Sequence, residues 1–365
     1  MSRAGVGAGA RVAILWGSGL GDVLVMRPLI ESFCRRGDQV VYFTRGDRCR
    51  PLFEALALPV RLWVLPPHPA QALKSLRAAG TFDWVYTGPG SGWPTRLLCH
   101  GVRRSGPEAR VVVSRRKAFV ADGIVQDLVA LGLAHEPPPP YGSLPLFPGG
   151  PRAQSPGSAS PYLLLHPGAR SDWRTKSWPA TRWQRLVQSL CAAGWSLDLV
   201  GTAEEREGLE SLVPRPVAKG AVDLRIGDSL AGLERAVAHA AGVICHNSGV
   251  MHLALAHRRP TVVLTGSSAH QWRAPYPRVF NLGSGRCHLA CNRRHCPVPG
   301  FRARCIRLLT LDAVVETCLS LWGESREPTD ALAPAEGPSP PEPSIPTPED
   351  GSRPARDFLR EPGRR

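Results

Sequence analysis

Val12-Ala-Ile-Leu-Trp-Gly-Ser-Gly-Leu-Gly-Asp-Val-Leu-Val-Met-Arg-Pro-Leu-Ile-Glu-Ser-Phe33 reads as a strand, a glycine-lined loop and a helix in one stretch. Val12–Trp16 is apolar without alternation, as in a strand covered on both faces. Met26, Leu29, Ile30 and Phe33 then recur at i, i+3, i+4 and i+7, one face of a helix spanning Val23–Arg36. Strand, loop, helix is the opening of a βαβ unit, which points to a parallel sheet with helices on its faces. Working outward, Gln39–Thr44, Val60–Leu65, Trp84–Thr87 and Arg110–Val113 read as further strands, with helical patterns at Arg48–Leu58 and Ala70–Ala79.

The alternation stops over 134–160. Pro137–Pro140 and the Pro/Gly/Ser run from Pro148 to Ser158 hold neither helix nor ladder, so the segment reads as a linker. A second set follows: strands at Tyr162–Leu165, Leu197–Val200, Gly242–Cys245 and Thr261–Leu264, and helices at Ala180–Ala193, Ala203–Leu212, Leu230–Ala241 and Met251–Ala256. The expected fold is α/β, two Rossmann-like domains whose parallel sheets face a central cleft. The expected boundaries are a flexible N-terminus 1–10, a first domain 11–150, a linker 151–160, a second domain 161–323 and a disordered tail 324–365.

With 365 residues and 43% hydrophobic composition, the chain can build two substantial cores. Its net charge of +15 rests mostly on arginine and suggests an acidic partner: nucleic acid, an anionic membrane or a phosphorylated substrate. No RNP motif, zinc-finger spacing or interleaving of aromatic with basic residues is present, so nucleic acid is set aside. No apolar run reaches the roughly 18 residues of a membrane span. Met1–Ala10 lacks the pattern of a secretory signal, so a cytoplasmic protein is expected. Cys34, Cys245 and others sit singly in apolar segments and read as reduced core thiols. Cys287, Cys291, Cys296 and Cys305 cluster, and four thiols could hold zinc or iron. Their spacing is not that of a zinc ribbon and nothing nearby would activate a thiol; no metal is assigned.

Three loops follow predicted strands. Gly17-Ser-Gly-Leu-Gly-Asp22 approaches a dinucleotide fingerprint but ends in a carboxylate, which would repel a pyrophosphate. Asp22 therefore reads either as a helix N-cap or as a general base. The second loop, His166-Pro-Gly-Ala169 followed by Arg170-Ser-Asp-Trp-Arg-Thr-Lys-Ser-Trp178, delivers cations and hydroxyls to a helix N-terminus. That suits a phosphate or diphosphate held by Lys176 with Arg170 or Arg174, and offers Gly168, Ser171 and Thr175 as contacts; a solvated basic turn is the bland alternative. The third loop is His246-Asn-Ser-Gly-Val-Met-His252. There Asn247 or Ser248 could cap a helix, Gly249 admits close backbone approach, and His252 is either a ligand contact or a core histidine. A base on one side and a diphosphate site on the other describe sugar transfer from an activated donor to a hydroxyl, with inversion. The chain contains no Asp-x-Asp pair, so side-chain cations and helix N-termini would stand in for a metal, and no cofactor is expected.

At these loops the chain resembles glycosyltransferase family 9, the lipopolysaccharide heptosyltransferases, from about Arg11 to Trp322. Gly19-Leu-Gly-Asp-Val-Leu24 with Pro28 is similar to the motif that holds the family's catalytic aspartate, here Asp22. His166-Pro-Gly168 with Lys176-Ser-Trp-Pro179 is similar to the donor-phosphate loop, here with Lys176. Asn247-Ser-Gly-Val-Met-His-Leu-Ala254 is similar to the donor signature, carried over to Asn247, Ser248, Gly249 and His252. The four clustered cysteines are similar to a cysteine-rich segment near the C-terminus of many members. The resemblance implies a GT-B arrangement and a metal-independent, inverting enzyme with an ADP-heptose-type donor. It also implies an anionic glycolipid acceptor and peripheral contact with the inner face of the cytoplasmic membrane. The family usually has aspartate at Asn247, which leaves open a different nucleotide-sugar donor or a catalytically impaired sugar-nucleotide binder.

Overall fold

The computed structural model describes residues 9–46, 49–89, 93–114, 119–148, 161–168, 176–213, 221–267, 272–283 and 304–323. All lie in one compact unit, which ends at Pro328. The first half runs β1 (Arg11–Leu15), α1 (Leu20–Arg35), β2 (Gln39–Thr44), α2 (Arg50–Ala55), β3 (Val60–Val64) and α3 (Pro69–Ala78). It continues through β4 (Thr81–Phe82), β5 (Trp84–Thr87), α4 (Trp93–Gly101), β6 (Arg103–Arg104), β7 (Arg110–Val113) and α5 (Val120–Ala130). The second half runs β8 (Tyr162–His166), α6 (Ala180–Ala192), β9 (Ser196–Gly201), α7 (Arg206–Glu210), β10 (Val222–Ile226) and α8 (Leu230–His239). It closes with β11 (Gly242–His246), α9 (Gly249–Ala256), β12 (Thr261–Leu264), β13 (Val279–Leu282), α10 (Arg304–Arg307) and α11 (Leu311–Trp322).

The main strands form two sheets, ordered β3-β2-β1-β5-β7 and β10-β9-β8-β11-β12-β13, and every pairing is parallel. β4 and β6 make a small separate parallel pair. In each large sheet the chain starts centrally, adds strands to one side, then crosses to the other. The order therefore reverses between β1 and β5, and between β8 and β11. Ligands of open α/β sheets bind outside the carboxyl ends of strands at such reversals. The three loops singled out in the sequence leave β1, β8 and β11, all reversal strands.

Strands with apolar side chains on both faces need cover on both, and three cores supply it. One outer core packs α3 and α4 on the first sheet through Ala72, Leu76, Leu98 and Cys99. Another packs α6 and α11 on the second through Trp183, Leu186, Leu190 and Val314. The inner core is shared: Met26, Ile30 and Phe33 of α1 belong to the same cluster as Met251 and Leu253 of α9. Full burial of such side chains stabilises by about 1.5–3 kcal/mol each. The two halves are thus joined through the helices that follow two of the three site loops. Contact there is close enough to require glycine. A Cβ on Gly249 would lie 2.6 Å from the Leu20 Cβ, and one on Gly21 would lie 2.4 Å from His252 Cδ2.

Some elements differ from expectation. Helix α1 starts at Leu20 rather than Val23, because Asp22 at its third position accepts from the Gly19 N–H and lets the helix begin inside the glycine loop. The pattern over Ala203–Leu212 splits into a 3-10 turn, Ala203–Glu205, and the short α7. The irregular stretch before the linker is anchored: buried Glu234 of α8 accepts from the N–H groups of Leu146 (2.6 Å) and Phe147 (3.0 Å), and His257 Nε2 lies 2.9 Å away. Burial opposes ionisation of Glu234, but these hydrogen bonds outweigh it and hold its carboxyl below the ordinary value. The N-terminus 1–8, the linker 151–160 and the tail 324–365 lie outside the described residues. Among the described residues, no helix is long and apolar enough to cross a membrane.

Candidate functional site

The loop after β1 is occupied by the chain's own charge. Asp22 Oδ2 accepts from the Gly19 N–H at 2.9 Å, and a Cβ on Gly17 would lie 2.3 Å from the Asp22 Cγ. Glycine at position 17 is what lets the carboxylate fold back over the loop. Buried Tyr42 donates to the Gly17 carbonyl at 2.7 Å and fixes the loop from β2. Burial, and then the charge of Asp22, push the Tyr42 phenol well above its ordinary value. The capping role of Asp22 is therefore observed. Base chemistry remains compatible with it, because an ionised carboxylate accepts several hydrogen bonds at once.

The loops after β8 and β11 are built differently. His166 and Cys245 are register partners, so the two loops leave the sheet side by side. Ser248 occupies the N-cap of α9 but makes no capping bond; its Oγ lies 3.2 Å from His166 Nδ1 instead. The first N–H groups of α9 are left without the side-chain cap that serine usually supplies. His246 is fully buried, and its Nε2 accepts from the Trp178 N–H at 3.0 Å. That bond ties the segment Lys176–Trp178 to the end of β11. Trp178 is further held through Nε1 to the Leu309 carbonyl at 2.9 Å. Burial drives His246 down to about 3, with the charges of His166 and Lys176 adding to the effect, so it is a neutral acceptor.

Lys176 is half-buried, and its charge acts on both His246 and His252. It therefore stands near the base of α9. Gly168 faces Glu205: a Cβ there would be 2.4 Å from Oε1, while Oε2 accepts from the Thr202 N–H at 2.9 Å. Asn247 donates through Nδ2 to the Trp272 carbonyl. A carboxylate could not make that bond, so the amide has a structural use at this position.

His252 is packed in the interior. It is 2% exposed and lies 3.0 Å through Nδ1 from the Tyr141 hydroxyl. It also stacks on Phe119 and meets Trp272 edge-on. Burial, and then Lys176, lower it to about 3. The residue that resemblance assigns to the donor is here packed between the halves. Nearby, Tyr276 of the second half donates to Asp122 of α5 at 2.5 Å.

Of the residues named from sequence, the structure thus groups Gly168, Lys176, Asn247, Ser248 and Gly249 at one reversal point. It sets Asp22 on α1, which packs against α9. Arg170, Ser171, Arg174, Thr175, Cys287, Cys291 and Cys296 lie outside the described residues, and Cys305 is buried. Among the described residues, no group of His, Cys, Asp or Glu could hold a metal. Sequence reasoning passed over Glu205 and the anchoring role of His246. The Thr202-Ala-Glu-Glu205 capping-box pattern could have flagged the first. Nothing local marks the second, which depends on β11 lying beside β8.

The profile of glycosyltransferase family 9 (heptosyltransferase) matches residues 107–301. Lipopolysaccharide heptosyltransferase 1 of Pseudomonas aeruginosa is 34% identical over 139 residues, 38% of this chain. The match spans 38% of that relative's length. The crystal structure of a family 9 glycosyl transferase from Veillonella parvula superposes with a TM-score of 0.60 at 17% identity, covering 88% of this chain and 99% of that one. The E. coli heptosyltransferase WaaC with ADP gives 0.53 at 18% identity, covering 86% and 99%.

Proposed function

The chain belongs to glycosyltransferase family 9, and from that premise we propose that it transfers heptose or a related sugar from an ADP-heptose-type donor to a hydroxyl of a lipopolysaccharide core. The observation that carries this reading is the start of α9, which Ser248 leaves without a side-chain cap and to which the Lys176–Trp178 segment is tied through His246, packed against the helix whose start is occupied by Asp22.

Asp22 takes the proton of the acceptor hydroxyl as that oxygen attacks the anomeric carbon from the side opposite the leaving group. The carbon–oxygen bond to the diphosphate breaks, and the nucleoside diphosphate departs with the electron pair, so the anomeric centre inverts. Lys176 and the N–H groups at Ser248 and Gly249 stabilise the charge that collects on the diphosphate. Arg170 and Arg174 add cations from the same loop, with Ser171 and Thr175 as hydroxyl contacts. Asn247 keeps the Trp272 segment against the site, and Glu205 offers a carboxylate beside Gly168 for a donor hydroxyl. No metal enters this scheme. The acceptor is an anionic glycolipid, and the protein works at the inner face of the cytoplasmic membrane.

The ADP held by the E. coli relative makes ADP the nucleotide to test first. ADP should raise the melting temperature at concentrations where UDP and GDP do not. ADP-heptose with a heptose-deficient core should then yield a product heavier by one heptose. Equal stabilisation by all three nucleotides, or none, contradicts the donor assignment.

A further inference from the structure

The outer face of the first sheet carries a surface that the transfer reaction does not use. Helices α3 and α4 lie side by side there, Gly101 so near Leu73 that a Cβ would be 2.2 Å from its Cδ1. Inward they bury Ala72, Leu76, Leu98 and Cys99; outward they show Lys74, Arg77, Leu97 and His100, with Arg103 and Arg104 of β6 beyond. Arg61 joins this face, since it stacks on Trp63 at 5.1 Å, and Trp63 donates to Ser75 of α3 at 2.8 Å. From Val60 to Arg104 the sole carboxylate in the sequence is Asp83. Its oxygens are engaged by the Arg11 N–H and the Ser105 hydroxyl. The matching layer of the second half is mixed in charge: α6 carries Arg182 and Arg185, and α11 carries Asp312 and Glu316.

Amid these cations Leu97 is 62% exposed, more than any other described large hydrophobic residue. We infer that the α3–α4–β6 face docks on an anionic lipid bilayer, with its cations on headgroup phosphates and Leu97 entering the acyl boundary. The surface deepens the proposed reading by locating its membrane contact. A lipid surface fits better than nucleic acid: the exposed leucine has no role on a sugar-phosphate backbone. The outward described side chains of α3 and α4 also include no Phe, Tyr or Trp to stack on a base.

The test is flotation of the full chain with vesicles of phosphatidylcholine alone or with about one-third phosphatidylglycerol. Binding should require the anionic lipid and weaken with salt. Each cation near such a surface contributes roughly fivefold, so a triple Lys74→Gln, Arg77→Gln, Arg103→Gln variant should lose roughly a hundredfold. Leu97→Ser should weaken binding several-fold. All the altered side chains are exposed, so an unchanged melting temperature confirms folding. Equal binding to neutral vesicles, or undiminished binding by the triple variant, overturns the inference. So does a Leu97→Ser variant with full vesicle binding while a DNA duplex depends on the same cations. ADP stabilisation is read on the same samples: its absence in the unaltered chain counts against the transferase reading, whereas failure of an ADP-stabilised unaltered chain to bind anionic vesicles counts against the surface.

Discussion

Helices α1 and α9 both leave reversal strands, both have a glycine at or beside their first residue, and they pack on each other, yet their N-termini are finished in opposite ways. The start of α1 is closed by the chain's own carboxylate, Asp22, folded over Gly17 and Gly19. The start of α9 carries a serine in the capping position that turns to His166 instead. A helix start holding its own anion has no use for another, whereas one left uncapped beside a lysine attracts one. Under the proposed function the contrast divides the labour of a group transfer: the acceptor's proton would go to one side and the leaving diphosphate to the other.

Substitutions at the closed end should have the largest effect. Asp22→Asn keeps an oxygen for the Gly19 N–H but cannot take a proton, so turnover should fall by about 10²–10⁴ with the melting temperature nearly unchanged. Asp22→Ala should lose the same turnover and about 1 kcal/mol of stability besides. An Asn variant with normal turnover would reduce Asp22 to a cap. At the open end, Lys176→Ala should lose roughly 3 kcal/mol of transition-state stabilisation, seen in kcat/KM. Full activity in that variant removes Lys176 from the mechanism.

The joint between the two ends has its own signature in pH. His246 and His252 are held near 3 by burial, whereas in the unfolded chain they titrate near the ordinary value of about 6.5. Between those values the unfolded state binds more protons. Stability should be complete above about pH 6.5 and fall by a few kcal/mol as pH drops toward 3. Urea unfolding across this range checks it, and a flat profile would show that neither histidine is held neutral. Gly249→Ala should cost about 1–3 kcal/mol, because its Cβ meets Leu20 across the joint. Leu20→Ala should relieve part of that cost in a double-mutant cycle. The smallest effect belongs to Ser248→Ala, about 1 kcal/mol or less, because it removes a bond to His166 and no cap.

The sheets were legible because their inner strands are apolar on both faces: Gln39–Thr44, Trp84–Thr87 and Thr261–Leu264 fall where periodicity puts them, as does the apolar edge strand Arg110–Val113. Val222–Ile226 escaped because a charged edge strand lacks that signal, with Asp223 and Arg225 exposed on it. Val279–Leu282 is only four residues long and lies at the other edge. At the site, glycines and cations announced the loops, since both have local chemical reasons to be there. The tasks of His246 and His252 were not legible. One depends on strand register, and the other on Phe119 and Tyr141 arriving from the other half and the irregular stretch before the linker. The donated bond from Asn247 to the Trp272 carbonyl is likewise visible only in three dimensions.

The division between a closed and an open helix start is tested most directly by ADP affinity, measured calorimetrically on Asp22→Asn and Lys176→Ala side by side. The account predicts an affinity unchanged in the first and weakened about ten- to a hundredfold in the second, the worth of one charge-assisted hydrogen bond. Loss of ADP binding in Asp22→Asn, with Lys176→Ala binding as tightly as the parent, would contradict it.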